Sequence, residues 1–219
     1  MPKSFFVTAT GTEIGKTHVV CQMIRQLQAQ NRGVRALKPV ISGLQDGLET
    51  SDTGRILRAL GKDISDAEVE AISPFRFDAP LSPDMAAHRA GQRIELEALV
   101  THHEQSLVGL QGTDIVLVEG VGGAFVPLNE RELVVDWILA IQVPVILVCG
   151  SYLGTLSHTI ATVQALQDRG VVVQAIVMSE SEQSPVPLSE TCESLSRFIS
   201  APIKVCSRQG EDDLISIFG

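Results

Sequence analysis

Ser4-Phe-Phe-Val-Thr-Ala-Thr-Gly-Thr-Glu-Ile-Gly-Lys-Thr17 decides the fold. Its apolar start, Ser4 to Thr8, is rich in β-formers. A turn follows, and Lys16 to Gln30 then carries Val20, Ile24 and Leu27 on one helical face. The pattern predicts strand, loop and helix in succession, which is the setting a phosphate-binding loop requires. In that setting loop N–H groups and the positive end of the helix cradle phosphate oxygens, Lys16 reaches the outer phosphates, and the Thr17 hydroxyl ligates Mg²⁺. The strict GxxxxGK[ST] spacing is not met, because Thr10 stands five residues before Gly15 and Gly11 comes one residue late. The bland alternative is a glycine-rich turn, but that leaves a glycine and a lysine at a helix start without a purpose.

Outward from this unit, strands and helices alternate. Val34 to Val40 reads as the next strand. Asp114 to Glu119, Val143 to Cys149 and Val171 to Met178 are near-continuous apolar runs, as expected of strands covered on both faces. Helical spacing joins Leu96, Leu99, Val100 and Leu107, then Leu156, Ile160, Val163 and Leu166, then Leu188, Leu195 and Phe198. The expected fold is one α/β domain over 1–219, a doubly wound and mostly parallel sheet with helices on both faces. Residues 43 to 94 fit less well. Gly, Pro, Asp and Ser are frequent there, and only Ile56, Leu57 and Leu60 suggest a short helix, so long connections over the active face are expected. Glu180 to Ser189 reads as a loop.

Composition narrows the partners. A net charge of −9 with 17 Lys and Arg gives no broad basic face, which argues against nucleic acid and membrane surfaces. The first residues hold too short an apolar run for a signal peptide, and Cys21, Cys149, Cys192 and Cys206 show no CxxC spacing. A cytoplasmic protein with reduced thiols is expected.

Three further pieces follow predicted strands, where ligands of open parallel sheets bind. Lys38-Pro-Val-Ile-Ser-Gly43 would aim Lys38 and Ser42 at phosphates, although a surface lysine before a turn explains it as well in isolation. Glu119-Gly-Val-Gly-Gly123 sets an acid after an apolar strand, with glycines that admit a ligand close to the backbone. Asp52, after Ser51, is either a helix-capping feature or a hard oxygen ligand for magnesium beside Thr17 and Glu119. Capping is the stronger reading from spacing alone. His88, His102 and His103 have no zinc-like spacing, and core packing is the expectation for His158.

Together, Phe6-Val-Thr-Ala-Thr-Gly-Thr-Glu-Ile-Gly-Lys-Thr17, Lys38-Pro-Val-Ile-Ser-Gly43, Ala79-Pro-Leu-Ser-Pro83, Val118-Glu-Gly-Val-Gly-Gly123 and Pro144-Val-Ile-Leu-Val148 resemble the dethiobiotin synthetase family, from residue 4 to about 178. The resemblance implies a cytoplasmic homodimer that uses ATP to carboxylate 7,8-diaminononanoate with CO₂ and close a ureido ring. It implies catalytic roles for Lys16, Lys38, Thr12 and Ser42. Nucleotide contacts fall on Glu13, Ile14, Gly15, Lys16, Thr17, His18, Asp52, Glu119, Gly120, Val121, Gly122, Ser179 and Glu180. Substrate contacts fall on Lys38, Ser42, Gly122, Gly123 and Ser157, the last across the dimer interface, and Mg²⁺ ligands on Thr17, Asp52 and Glu119.

The chain departs from the family pattern at Ala9 and Gly11 in the loop, and at Ser179-Glu180, where an Asn-Asp pair commonly meets the base. The tail from Val205 also lacks the usual Pro-containing adenine loop. A MinD-like or ParA-like switch ATPase is the alternative. That group carries a lysine four residues before the last loop glycine, and here the position is Gly11.

Overall fold

The structure, a computed structural model, describes residues 2–44, 47–210 and 212–219. Met1, at the head of the opening apolar run, and Gln45 and Asp46, inside the segment read as a long connection, lie outside the described residues. The chain begins with β1 (Lys3–Ala9), α1 (Lys16–Ala29), β2 (Val34–Leu37) and β3 (Val40–Ser42). It continues through α2 (Asp52–Ala59), α3 (Asp66–Ile72), β4 (Phe75–Phe77), α4 (Pro83–Arg89) and α5 (Leu96–Ser106). The second half holds β5 (Ile115–Glu119), α6 (Val134–Ile141), β6 (Val145–Gly150), α7 (Thr155–Asp168), β7 (Val173–Ser179), α8 (Leu188–Ser196), β8 (Ile203–Cys206) and a final 3₁₀ turn at Ile215–Phe218.

Six strands form one parallel sheet in the order β2-β5-β1-β6-β7-β8, as the apolar runs predict. Every residue of β5 and β6 is buried, which is why neither strand alternates in polarity. Connections leave β1 toward β2 on one side and β6 toward β7 on the other, so a crevice opens beyond the carboxyl ends of β1 and its neighbours. Beneath it, Phe6 of β1 meets Trp137 of α6 edge to face, with ring centroids 4.7 Å apart.

The strand expected over Val34 to Val40 is two strands. Pro39 has no N–H to donate, the Lys38 N–H turns aside to the Ile72 carbonyl (2.9 Å), and the Phe75 N–H reaches the Pro39 carbonyl (3.0 Å). The chain therefore leaves β5 after Leu37 and pairs with β4 instead. Residues 43 to 94 are likewise more ordered than the expected long connections. They carry α2, the short helix that Ile56, Leu57 and Leu60 suggest, and also α3, β4 and α4, whose apolar positions are too few to register as periodic. The helix α6 and the strand β8 had no expectation attached to them. Leu156 and Phe198, read as core-facing, are exposed, the latter beyond the end of α8.

Candidate active site

The phosphate loop joins β1 to α1. Gly15 is the residue before the helix and holds φ +99°, a left-handed conformation that suits glycine. A Cβ there would also collide with the Ser179 hydroxyl at the end of β7. The loop is thus shaped by a strand far away in sequence. Ala9, in the family's glycine position, ends β1 and is absent from the residues of positive φ, so its side chain is accommodated. Glu13 takes φ +58° and is exposed. The Lys16 ammonium folds back toward the Gly11 carbonyl at 3.4 Å.

The Glu119-Gly-Val-Gly-Gly123 turn runs alongside the end of β1. The Gly120 N–H donates to the Val7 carbonyl (2.9 Å) and the Ala124 N–H to the Ala9 carbonyl (3.0 Å). A Cβ on Gly120 would strike the Phe6 ring at 2.7 Å, so the glycine there is required by backbone packing against the core. Glu119 itself is fully buried at the end of β5. Its Oε1 accepts from the Thr17 hydroxyl at 2.7 Å and from the Lys38 ammonium at 2.8 Å.

Lys38 is not the surface lysine that its local sequence allows. It is 2% exposed, and the break between β2 and β3 turns it inward. Its ammonium donates to Glu119 Oε1 and to the Gly120 carbonyl (2.7 Å), and lies 3.3 Å from Asp52 Oδ2. Asp52 is at once the first residue of α2, capped by Ser51 through the Gly54 N–H (3.1 Å), and a member of this cluster. Ser51 thus caps the helix, and Asp52 beside it lies against Lys38.

Burial alone would strip the proton from Lys38, but the Glu119 and Asp52 carboxylates reverse that and hold the amine above its ordinary range. Burial would likewise raise the Asp52 carboxyl, and the Lys38 ammonium holds it below its usual value instead. Lys16 is compensated less. Burial, then the neighbouring Lys38 charge, pushes it down to about 8 against weaker pulls from Glu119 and Asp52.

Lys16, Thr17, Lys38 and Asp52 line a cleft of about 430 Å³, with Glu119 buried behind them. Thr12, Glu13, Gly15, Lys16, Thr17, His18, Lys38, Ser42, Asp52, Val121 and Gly122 all face it. The Ser42 hydroxyl is donated to the Leu81 carbonyl (2.9 Å), which ties the Ala79-Pro-Leu-Ser-Pro83 turn to β3. Ile14, Gly120 and Gly123 stand behind the cleft wall, with Gly123 set against the backbone of Ala9 and Gly11. Ser179 is buried against Gly15, and Glu180 turns away, where its carboxylate accepts the Arg208 N–H (2.9 Å). Ser157 is exposed on the first turn of α7, outside the cleft. His158 is not packed in the core but exposed, hydrogen-bonded to Tyr152 at 2.8 Å. His103 is buried and His102 partly so, bonded to Ser4 (3.1 Å) and to the Ala71 carbonyl (2.8 Å) respectively.

Two lining residues, Ile41 and Arg55, had no expectation attached to them. The signal for Arg55 was available, since it follows Asp52 by three residues on α2 and so shares its face. The donor set fits a hard divalent cation. Thr17, Asp52 and Glu119 offer oxygens only, and Glu119 Oε2 is buried with no hydrogen-bond partner among the described residues.

A family model described as an AAA domain matches residues 3–206. Among solved structures, MinD cell division protein of Aquifex aeolicus superimposes with a TM-score of 0.58 at 12% identity, over 98% of this chain and 85% of that one. A ParA family ATPase of Chlorobium tepidum gives 0.57, also at 12% identity, over 100% and 88%. At such identities the likeness is one of fold. ATP-dependent dethiobiotin synthetase BioD of Methylobacterium nodulans is 38% identical over 211 residues, 94% of each chain. The enzyme of that name from Acidiphilium cryptum is 51% identical over 199 residues, 90% of this chain and 88% of its own. Identity of that extent, together with a site assembled from the blocks that carry the resemblance, makes this chain a member of the dethiobiotin synthetase family.

Proposed function

We propose that this chain is an ATP-dependent cyclo-ligase that makes dethiobiotin from 7,8-diaminononanoate, CO₂ and ATP. The single observation that carries the reading is the convergence of Lys16, Lys38, Thr17, Asp52 and Glu119 on one cleft at the end of β1. One substrate amine adds to CO₂ and loses a proton, giving a carbamate. A carbamate oxygen then attacks the γ-phosphorus and ADP departs, leaving a carbamic-phosphoric anhydride. The second amine attacks the carbamoyl carbon, phosphate leaves, and the ureido ring closes.

No protein nucleophile is needed. Lys16 holds the outer phosphates, and Lys38 neutralises charge on the carbamate and the transferring phosphoryl group, with Thr12 and Ser42 positioning them. Thr17, Asp52 and Glu119 would hold magnesium. Bound there, the ion would offset negative charge on the triphosphate. Gly15 and Gly122, both of positive φ and both lining the cleft, would let the backbone approach a ligand closely.

Exposed apolar side chains at Leu153 (89% exposed) and Leu156, flanking Ser157 at the start of α7, support a homodimer in which Ser157 serves the partner's substrate site. Sedimentation at assay concentration tests that. Free thiols at Cys21, Cys149, Cys192 and Cys206 support a reducing, cytoplasmic setting. The reaction is tested by incubating the protein with Mg-ATP, bicarbonate and 7,8-diaminononanoate and analysing products by mass spectrometry. Dethiobiotin should form, with phosphate release dependent on diamine and bicarbonate. ATP hydrolysis that ignores both would point to a switch ATPase instead.

A further inference from the structure

The ammonium of Lys38 is held like a bound cation. Three oxygens surround it, from Glu119 (2.8 Å), Gly120 (2.7 Å) and Asp52 (3.3 Å), and it is almost wholly removed from water. Two of the three belong to the carboxylates assigned above to magnesium, and Glu119 Oε1 also takes the Thr17 hydroxyl, the third member of that set. One small volume is therefore claimed by two positive charges.

Counting charge sharpens the conflict. The cleft is lined by Lys16, Lys38 and Arg55 against Glu13 and Asp52, and Glu119 is buried behind it in contact with Lys38, so the three cations face three carboxylates without any metal. A bare divalent ion entering this set would face uncompensated positive charge at short range, in surroundings that screen it poorly. A divalent ion arriving on a triphosphate brings its own excess of negative charge. In that case the carboxylates can exchange the ammonium for the metal, and the released ammonium finds new anionic partners in the cleft. Glu119 has the capacity for such an exchange, since its second oxygen is buried without a partner among the described residues.

We propose that Lys38 is the resident counter-cation of the empty site, that it excludes free divalent metal from Asp52 and Glu119, and that entry of the metal–nucleotide complex drives it off these carboxylates toward the substrate. The inference rests on the magnesium and Lys38 roles proposed above. Metal loading and delivery of the positive charge to the carbamate then become one event, and bare metal does not occupy the site ahead of nucleotide. A static structural ion pair, by contrast, would leave Lys38 in place throughout.

Binding of free Mn²⁺ to the full chain without nucleotide, followed by electron paramagnetic resonance, tests the exclusion. Lys38→Met keeps the side chain's length and removes its charge. It should bind free Mn²⁺ at least about tenfold more tightly than the wild type. The gain should vanish in Lys38→Met combined with Asp52→Asn. Equal affinity of Lys38→Met and wild type, or tight binding of free Mn²⁺ by the wild type, overturns the proposal. Failure of the underlying reading has a different signature, in which Asp52→Asn and Glu119→Gln leave Mn-ATP binding unchanged, and the exclusion falls with it.

A second measurement needs no variant at this position. The chain has five lysines, at 3, 16, 38, 62 and 204, so ¹⁵N-lysine labelling gives a countable set of ammonium signals. The Lys38 signal should be protected from exchange in the empty protein, keep that protection with metal-free nucleotide, and shift or vanish on adding magnesium. A Lys38 signal that does not move at saturating Mg-nucleotide overturns the proposal.

Discussion

Lys38 and Glu119 stand 81 residues apart and meet at 2.8 Å inside the protein, one at the break between β2 and β3 and the other at the end of β5. Each makes the other's burial tolerable. A buried charge left alone is strongly unfavourable, so neither residue is open to neutral substitution.

Lys16→Ala and Lys38→Ala should each lower turnover about a hundredfold or more, because each removes a positive charge from where negative charge develops. Steady-state assays at saturating substrates measure this. Lys38→Ala should also lower the melting temperature, since it strands the Glu119 carboxylate, whereas Lys16→Ala should not. Near wild-type turnover in either variant would remove that lysine from the mechanism.

Glu119→Gln and Asp52→Asn should raise the Mg²⁺ concentration giving half-maximal activity, each having lost an anionic oxygen ligand for a hard cation. The Ser51 cap persists in Asp52→Asn, so the helix should survive. An unchanged magnesium titration in that variant would leave Asp52 with its helix-terminal role alone.

Gly15→Ala should weaken nucleotide binding and destabilise the fold by about 1–2 kcal/mol from the left-handed backbone alone, beyond the collision with Ser179. Adding Ser179→Gly should restore part of the loss by removing the collision but not the backbone strain. Nucleotide titrations and thermal unfolding of the single and double variants report both effects. A single variant that binds like the wild type contradicts this account of the loop.

The depressed Lys16 amine makes binding pH-dependent. Below about 8 the empty site already carries the ammonium. Above that the amine is neutral, and a triphosphate must draw a proton in as it binds, so affinity should fall by up to about tenfold per pH unit. Calorimetry in buffers of different ionisation enthalpy should show proton uptake near pH 9. The same shift acts on stability with opposite sign. From about 8 toward the ordinary 10.5 the unfolded chain holds a proton that the folded one does not, so this lysine makes the empty protein more stable as pH rises through that window. Absence of proton uptake would mean that Lys16 stays charged in the empty cleft.

Discrimination between ATP, CTP and GTP should be weak, within about tenfold in kcat/KM, or ~1.4 kcal/mol. The side chains beyond the phosphate loop are already committed to one another. Ser179 is packed on Gly15, Glu180 accepts the Arg208 N–H, the Asp212 carboxylate accepts the Ser207 N–H (2.6 Å), and His18 lies 3.4 Å from the Ser207 carbonyl. A site selects a base when its own polar groups go unpaired with the wrong one. Assays with each triphosphate at fixed free Mg²⁺ measure this, and a thousandfold preference for ATP would require an edge-reading pocket.

The sheet and its loop were legible because they rest on long signals. Apolar runs such as Ile115–Glu119 and Val145–Gly150 are buried whole, and Gly15-Lys16-Thr17 sits at a helix start that local periodicity also marks. What escaped depends on contacts made at a distance. The division of the second strand follows from where the Lys38 N–H finds a carbonyl, and that carbonyl belongs to Ile72. The inward turn of Lys38 follows from the same division, so a surface lysine and a buried one read alike in sequence. Of the short elements between residues 43 and 94 only α2 showed in the sequence; α3, β4 and α4 dock against α2 and β3, and too few of their residues repeat to show a period.

β1 is the first strand made and the middle of the finished sheet. Its partners begin at Ile115 and Val145, and Lys3 is finally bonded to the carbonyl of Phe218 at 3.1 Å. On the ribosome this strand must wait for just over half of the chain before its first neighbour exists and for about two-thirds before its second, exposing Phe5, Phe6 and Val7 meanwhile. Folding of this protein is therefore a late, collective event of high contact order. A nascent chain stalled before β6 is complete presents an apolar strand open on at least one edge to chaperones and to other copies of itself, and both neighbours of the phosphate loop's strand are in place only once β6 exists.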